Sequence, residues 1–343
     1  MSAKNKLQFR KFGLFYIILV FLILLIFSSI KIYLNSRNDI PTEVFTKRDF
    51  IEFEKYIRNV GALKGYEVLK SYYVNNEPDA HDFAHIIGQV AFENQDIGGF
   101  KVCDSLYNYG CYHGFMQVYL TKHGISAVKN MENSCVALGS VHAPSCLHGI
   151  GHGLMMQANY DLSRSLINCE ILLQSSKTYC FDGVFMERIV GSMLEENQKI
   201  KTTEKNILEP CRSIDKKYQR ECWRNQVSVW FAYFGNNSMK VGAYCASLNN
   251  EYWEICFETI GLINVQNFGG NYDLLFGQCQ IINQDAASYC LIGEMKELMF
   301  EGKSTDVAYN LCNYTSIAQK QKCFEIFSNM FNDYKVRFGQ QFS

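Results

Sequence analysis

Eighteen consecutive residues near the start of the chain, Gly13 to Ile30 (GLFYIILVFLILLIFSSI), carry no charge. As a helix such a run spans about 27 Å, close to the hydrocarbon thickness of a bilayer. Lys4, Lys6, Arg10 and Lys11 precede it without an acidic residue. Basic flanks stay on the cytoplasmic side, so residues 1–12 are expected inside the cell and everything after residue 35 outside it. A cleaved signal peptide has a shorter apolar core, and no A-x-A site follows Ser29. An uncleaved transmembrane signal-anchor over residues 13–34 is therefore expected.

Beyond the anchor the apolar positions recur at helical period in short stretches. LSRSLINC and YDLLFGQC end on a cysteine, CFETIGLI and CFEIFSNMF begin with one, and polar connectors such as ASLNNEYWEI lie between the two kinds. The fourteen cysteines set the frame. Taken in consecutive pairs, six pairs are spaced by eleven residues and the first, Cys103 and Cys111, by eight. Successive pairs step by 32, 34, 42, 34, 34 and 33 residues. A period of about 34 residues marks stacked helix–turn–helix units, each too small to bury its apolar face alone.

The spacing within a pair is eleven in six of the seven, whereas the spacing between pairs runs from 22 to 31. The longest, from Cys180 to Cys211, contains the polar run EENQKIKTTEKN. A segment that accepts extra residues is a poor candidate for a closed loop, because bridged Cα atoms must lie within about 7 Å. Disulfides within each pair are expected. The alternative, zinc–thiolate ligation, calls for C-x2-C spacing, which the chain lacks. Disulfides require an oxidising compartment, and the anchor topology independently supplies one: periplasmic, lumenal or extracellular.

Cross-linked hairpins of this length resemble the cysteine-rich Sel1-like repeat proteins, relatives of the tetratricopeptide arrays. CDSLYNYGC is the closest match, since those proteins use the eight-residue spacing. The other six pairs depart from it, and the glycine-rich turn between Sel1 repeats is missing. The resemblance covers roughly residues 79 to 335. It implies an α-solenoid and, because such families mostly bind partners, an interaction scaffold; it implies no chemistry.

The expected fold is thus all-α: a solenoid of about seven disulfide-stapled hairpins behind one transmembrane helix. Residues 35–78 read as a juxtamembrane segment, 79–192 as histidine-bearing repeats, 193–206 as a polar insert, 207–335 as C-terminal repeats and 336–343 as a tail. The insert reads as a surface loop, or as a flap over a site.

The histidines do not follow the repeat. All seven lie between positions 81 and 152. Two residues after the second cysteine of successive units stand His113, His148, Asp182, Arg224, Glu258, Ile292 and Glu325. The segment HDFAHIIGQVAF aligns with HGFMQVYL when His85 matches His113 and Gln89 matches Gln117. His85, His113, His148 and Asp182 then share one register on four consecutive helices and line one surface. His81 and His85, and likewise His148 and His152, are four residues apart, so each pair stacks on one helical face and can grip one metal ion. His81, His85, His113, His148 and His152 are the candidate metal ligands, enough for one closed site or a dinuclear one. Asp182 and Glu187 are the candidate proton-handling residues. Together with Asp82 they can also serve as extra ligands or orienting partners. Neutral imidazole suits zinc, copper or iron, and haem as well. His123 and His142 lie outside the register and are expected to be solvated.

Gly114, Gly149 and Gly183 directly follow register positions, and Gly151 and Gly153 flank His152. Such a cluster points to close approach by backbone or by a ligand. Trp223, Trp230 and Trp253 supply core, or a face for a protein partner on the C-terminal repeats. With 33 basic against 34 acidic residues and no basic stripe, a nucleic-acid partner is excluded. Two function classes remain. One is a membrane-anchored metal- or haem-binding protein, acting as a metal-dependent oxidoreductase or hydrolase if the site is catalytic. The other is an extracytoplasmic scaffold whose histidines are structural or pH-sensing.

Overall fold

The computed structural model describes residues 40–73, 78–194, 202–268, 272–280 and 284–338. The expected anchor and half of the polar insert lie outside them. Among the described residues every regular element is a helix, and no helix is long and apolar enough to cross a membrane. In chain order these are α1 (Thr42–Thr46), α2 (Phe50–Val60), α3 (Ala62–Tyr72), α4 (Pro78–Gln95), α5 (Gly110–His123), α6 (Val128–Val136), α7 (Ala143–Gln157), α8 (Leu162–Cys169) and α9 (Gln174–Leu194). After the insert come α10 (Lys216–Tyr233), α11 (Ser238–Ser247), α12 (Trp253–Phe268), α13 (Tyr272–Gln280), α14 (Gln284–Phe300), α15 (Thr305–Leu311) and α16 (Ile317–Phe338). Local chemistry sets several starts. Asp49, Asp161, Asp215, Asn237 and Ser304 accept backbone N–H bonds at the beginnings of α2, α8, α10, α11 and α15.

The long helices pack in chain order, α4 on α5, α5 on α7, α7 on α9, and onward through α10, α12, α14 and α16. The short helices α6, α8, α11, α13 and α15 each lie against the long helix that follows. Seven disulfides join the cysteines as the spacing predicts, with Cα separations from 5.3 to 5.9 Å. In most units the first cysteine ends a short helix and the second sits in the first two turns of the next long one. Two units depart from the expected hairpin. Cys103 follows a 3-10 turn, Asp96–Val102, and Cys211 lies in irregular turns ahead of α10. Closing loops of eleven residues stabilises the fold by roughly 3 kcal/mol each through the unfolded chain.

The segment before residue 79 is more than a juxtamembrane stretch. Phe53, Ile57, Leu69, Phe83 and Ile87 are completely buried and join α2 and α3 to α4. Arg48 pairs with Asp79 and Asp82, and Arg58 with Glu93, across the same seam. This adds helices ahead of the first disulfide that the cysteine period could not announce. The tryptophans also resolve. Trp230 is fully buried and donates to the Ile207 carbonyl at 2.7 Å, Trp223 is 4% exposed, and Trp253 donates to the Leu248 carbonyl at 3.0 Å. Trp223 and Trp230 are core rather than an exposed docking face.

Glycine permits the tightest contacts. A Cβ on Gly114 would lie 1.9 Å from the His85 carbonyl oxygen, one on Gly183 2.0 Å from that of His148, and one on Gly293 1.9 Å from that of Glu258. Reciprocally, Gly88, Gly151 and Gly261 face the carbonyls of Cys111, Cys180 and Cys290 at 1.9, 2.2 and 2.0 Å. The helix pairs α4/α5, α7/α9 and α12/α14 therefore share one backbone-to-backbone geometry, in which any side chain would force the axes apart.

Candidate metal centre

The close approach of α4, α5 and α7 brings five imidazoles together. His81 and His85 project from α4, His113 from α5, and His148 and His152 from α7. Their ring centroids form a continuous cluster. His81 and His85 are 4.7 Å apart, His85 and His113 5.6 Å, His113 and His148 5.4 Å, His113 and His152 4.9 Å, and His148 and His152 4.8 Å. Two ligand sets emerge. One ring nitrogen from each of His81, His85 and His113 lies within 4.8 Å of the others, and so does one from each of His113, His148 and His152. His113 belongs to both.

The outer nitrogens are held. His148 Nδ1 meets Asp182 Oδ2 at 3.0 Å, and His152 Nδ1 meets Glu187 Oε2 at 2.7 Å. His81 Nδ1 meets the Tyr107 carbonyl at 2.7 Å. A carbonyl can only accept, and an ionised carboxylate likewise, so each of these Nδ1 atoms carries the proton and each Nε2 is left with a lone pair. Those lone pairs point inward. His148 Nε2 and His152 Nε2 are 3.0 Å apart, as are His81 Nε2 and His85 Nε2. At the His148–His152 pair both Nε2 atoms carry lone pairs, which repel at that distance unless a cation or an extra proton lies between them; at the other pair His85 Nε2–H can donate to His81 Nε2. For metal–nitrogen bonds of about 2.0–2.1 Å, adjacent ligand nitrogens stand roughly 3 Å apart.

The carboxylates are themselves braced. Asp182 accepts from Asn225 Nδ2 at 2.8 Å and pairs with Arg224 Nη1 at 3.4 Å. Glu187 accepts from Tyr160 at 3.1 Å and from Gln117 Nε2 at 3.3 Å, and Gln117 in turn accepts from Gln89 at 3.4 Å. Asp182 and Glu187 thus fix the orientation of the His148 and His152 rings. Asp82 does not join the cluster; its carboxylate faces Arg48 Nη2 at 2.9 Å. His123 binds Asp96 and His142 meets the Tyr109 hydroxyl, both away from the centre.

Burial pushes His81, His85, His113 and His152 below the ordinary imidazole value, and the neighbouring rings add to it for each. Those rings are neutral at neutral pH, the form in which imidazole donates to a metal. Burial alone would raise Asp182, but Arg224, His148 and Asn225 outweigh it and hold the carboxyl below the usual range. Two features were not legible in the sequence. The Tyr107 carbonyl is aimed at His81 by three successive residues with positive φ, Tyr107, Asn108 and Tyr109 at 53°, 50° and 63°. Such conformations cost on the order of 1–3 kcal/mol each and persist where surroundings impose them. The bracing set of Gln117, Tyr160 and Asn225 comes from three different helices or turns, and only Gln117 showed itself, by its place in the register.

No protein-family model, curated protein or solved structure matches the chain.

Proposed function

We propose that this chain is a membrane-anchored, extracytoplasmic α-solenoid whose function is to bind a transition-metal ion at His81, His85, His113, His148 and His152. One observation carries it: paired imidazole nitrogens 3.0 Å apart, three of whose four opposite nitrogens are tied to Asp182, Glu187 and the Tyr107 carbonyl. An all-nitrogen donor set without thiolate suits zinc, copper or iron. Ring centroids separated by only 4.7 to 5.6 Å within each set favour a bare ion, since no porphyrin plane passes between them. Three imidazoles leave a fourth tetrahedral position open, the arrangement in which a metal activates water or dioxygen. His81, His85 and His148 are part-exposed, which supports access to that position from solvent. In a catalytic cycle Asp182 and Glu187 hold the protons on the outer nitrogens. Seven disulfides and the uncharged run at 13–30 support the oxidising location.

The test is elemental analysis of the full chain purified in detergent. One or two equivalents of metal per chain are expected. Replacing His148 and His152 together by alanine is expected to remove most of it while helical circular dichroism and the disulfide count stay unchanged. A wild-type protein that retains no zinc, copper or iron after reconstitution with each would overturn the proposal and favour a scaffold with structural histidines.

A further inference from the structure

His113 stands apart from the other four. Its neighbours each have a ring nitrogen bonded to protein, whereas neither Nδ1 nor Nε2 of His113 has a hydrogen-bond partner, and both atoms are buried. The residue as a whole is 5% exposed. An imidazole with two unpaired nitrogens inside a packed core is costly, about 1–3 kcal/mol for each group left unmet. The fold nevertheless makes room for it. Gly149 lies against this ring, where a Cβ would come within 3.1 Å of His113 Cδ2. His113 is also the one member common to both candidate ligand sets, one with His81 and His85 and the other with His148 and His152.

We infer that the centre is dinuclear and that His113 bridges its two ions as an imidazolate, one held with His81 and His85 and the other with His148 and His152. This rests on the proposed metal-binding function and adds its nuclearity. Bridging accounts for both unpaired nitrogens at once: each donates a lone pair to one ion, and the ring N–H proton leaves to solvent when the second ion binds. With bonds of about 2 Å on either side of the ring, the ions stand roughly 6 Å apart. The two sets are close neighbours, since His85 and His152, one from each, have ring centroids 6.4 Å apart. The second pair gains two orienting carboxylates, Asp182 and Glu187, whereas the first is oriented by the Tyr107 carbonyl. The ions therefore sit in inequivalent fields, the more positive one favoured beside the carboxylates.

The probe is Cu(II), titrated into the metal-stripped full chain in detergent and followed by electron paramagnetic resonance. Imidazolate couples two Cu(II) spins antiferromagnetically. The doubly integrated signal is expected to rise to one equivalent and then fall as the second binds, with saturation at two. His85→Ala is expected to bind one equivalent with full spin intensity, because the set around His148 and His152 is intact. His113→Ala is expected to lose the coupling. Saturation at one equivalent, or two equivalents with full spin intensity, would overturn the bridge while leaving a metal site in place. No copper binding, nor any zinc or iron in parallel, would overturn the metal-binding function as well. Should His113→Ala fail to fold, the wild-type and His85→Ala titrations decide the matter.

Discussion

Replacing Gly183 by alanine tests whether backbone contact between α7 and α9 is what assembles the site. A Cβ there would lie 2.0 Å from the His148 carbonyl oxygen, 2.9 Å from its carbon and 3.1 Å from Gly151 Cα. Ordinary contact begins at 3.4 Å, so the axes must part by about 1 Å or more, and no side-chain rotation relieves a clash with backbone. Overpacking costs typically 1–3 kcal/mol, and a rigid carbonyl places this case near the top of that range. Alanine returns about 1 kcal/mol of helix propensity, leaving a net loss of about 2 kcal/mol. For a fold of this size that lowers the melting temperature by roughly 4–8 °C. The same displacement stretches the 3.0 Å contact between His148 and Asp182 beyond hydrogen-bond range, and metal affinity is expected to fall at least tenfold. Gly277→Ala is the control. It also lies in a helix, α13, but a Cβ there meets nothing within 4 Å, so stability is expected to rise by about 0.5–1 kcal/mol. Thermal melts of the two variants are expected to shift in opposite directions, and competitive metal titration is expected to show a loss for Gly183→Ala alone. A Gly183→Ala protein as stable and as tight-binding as wild type would refute the packing argument.

Further outcomes follow from the same geometry. Glu187→Gln keeps the shape but weakens the acceptor for His152 Nδ1, and a 10–100-fold loss of metal affinity is expected by competition with a chromophoric chelator. In the metal-free protein, His81, His85, His113 and His152 all sit below the unfolded value of 6.5. Between that value and their lowered ones the unfolded chain binds more protons. Stability is therefore present above pH 6.5 and lost as pH falls through the folded values, which urea melts across pH 7.5 to 5 check. Bound metal competes with those protons, so the loss is expected to move to lower pH in the loaded protein. Complete reduction removes seven loop closures worth roughly 3 kcal/mol each. That exceeds the 5–15 kcal/mol net stability of ordinary domains, so loss of helical circular dichroism is expected once all seven are open.

The cysteine period carried most of the fold because a disulfide fixes two Cα atoms within a narrow distance and eleven residues just suffice for a connector. It stayed silent about α1, α2 and α3, whose apolar residues Phe53, Ile57 and Leu69 bury without any cysteine, and about Cys211, where turns replace the short helix. The histidine cluster was legible for a different reason. Four-residue spacing places His81 with His85 and His148 with His152 on single helical faces, and the register set His113 between them. The glycines signalled close approach, but only the structure shows that it is helix backbone that approaches. What holds the rings was largely hidden. The Tyr107 carbonyl depends on three left-handed residues, and Asn225 and Tyr160 reach the carboxylates from turns and helices remote in sequence. Such contacts arise from tertiary packing and leave no periodic trace.

X-ray absorption at the metal edge of the loaded full-length protein tests the histidine centre most directly. For zinc, first-shell scattering from nitrogen at about 2.0–2.1 Å with the outer-shell pattern of several imidazoles, and no sulfur near 2.3 Å, is expected. A shell dominated by sulfur, or by oxygen without imidazole scattering, would contradict it.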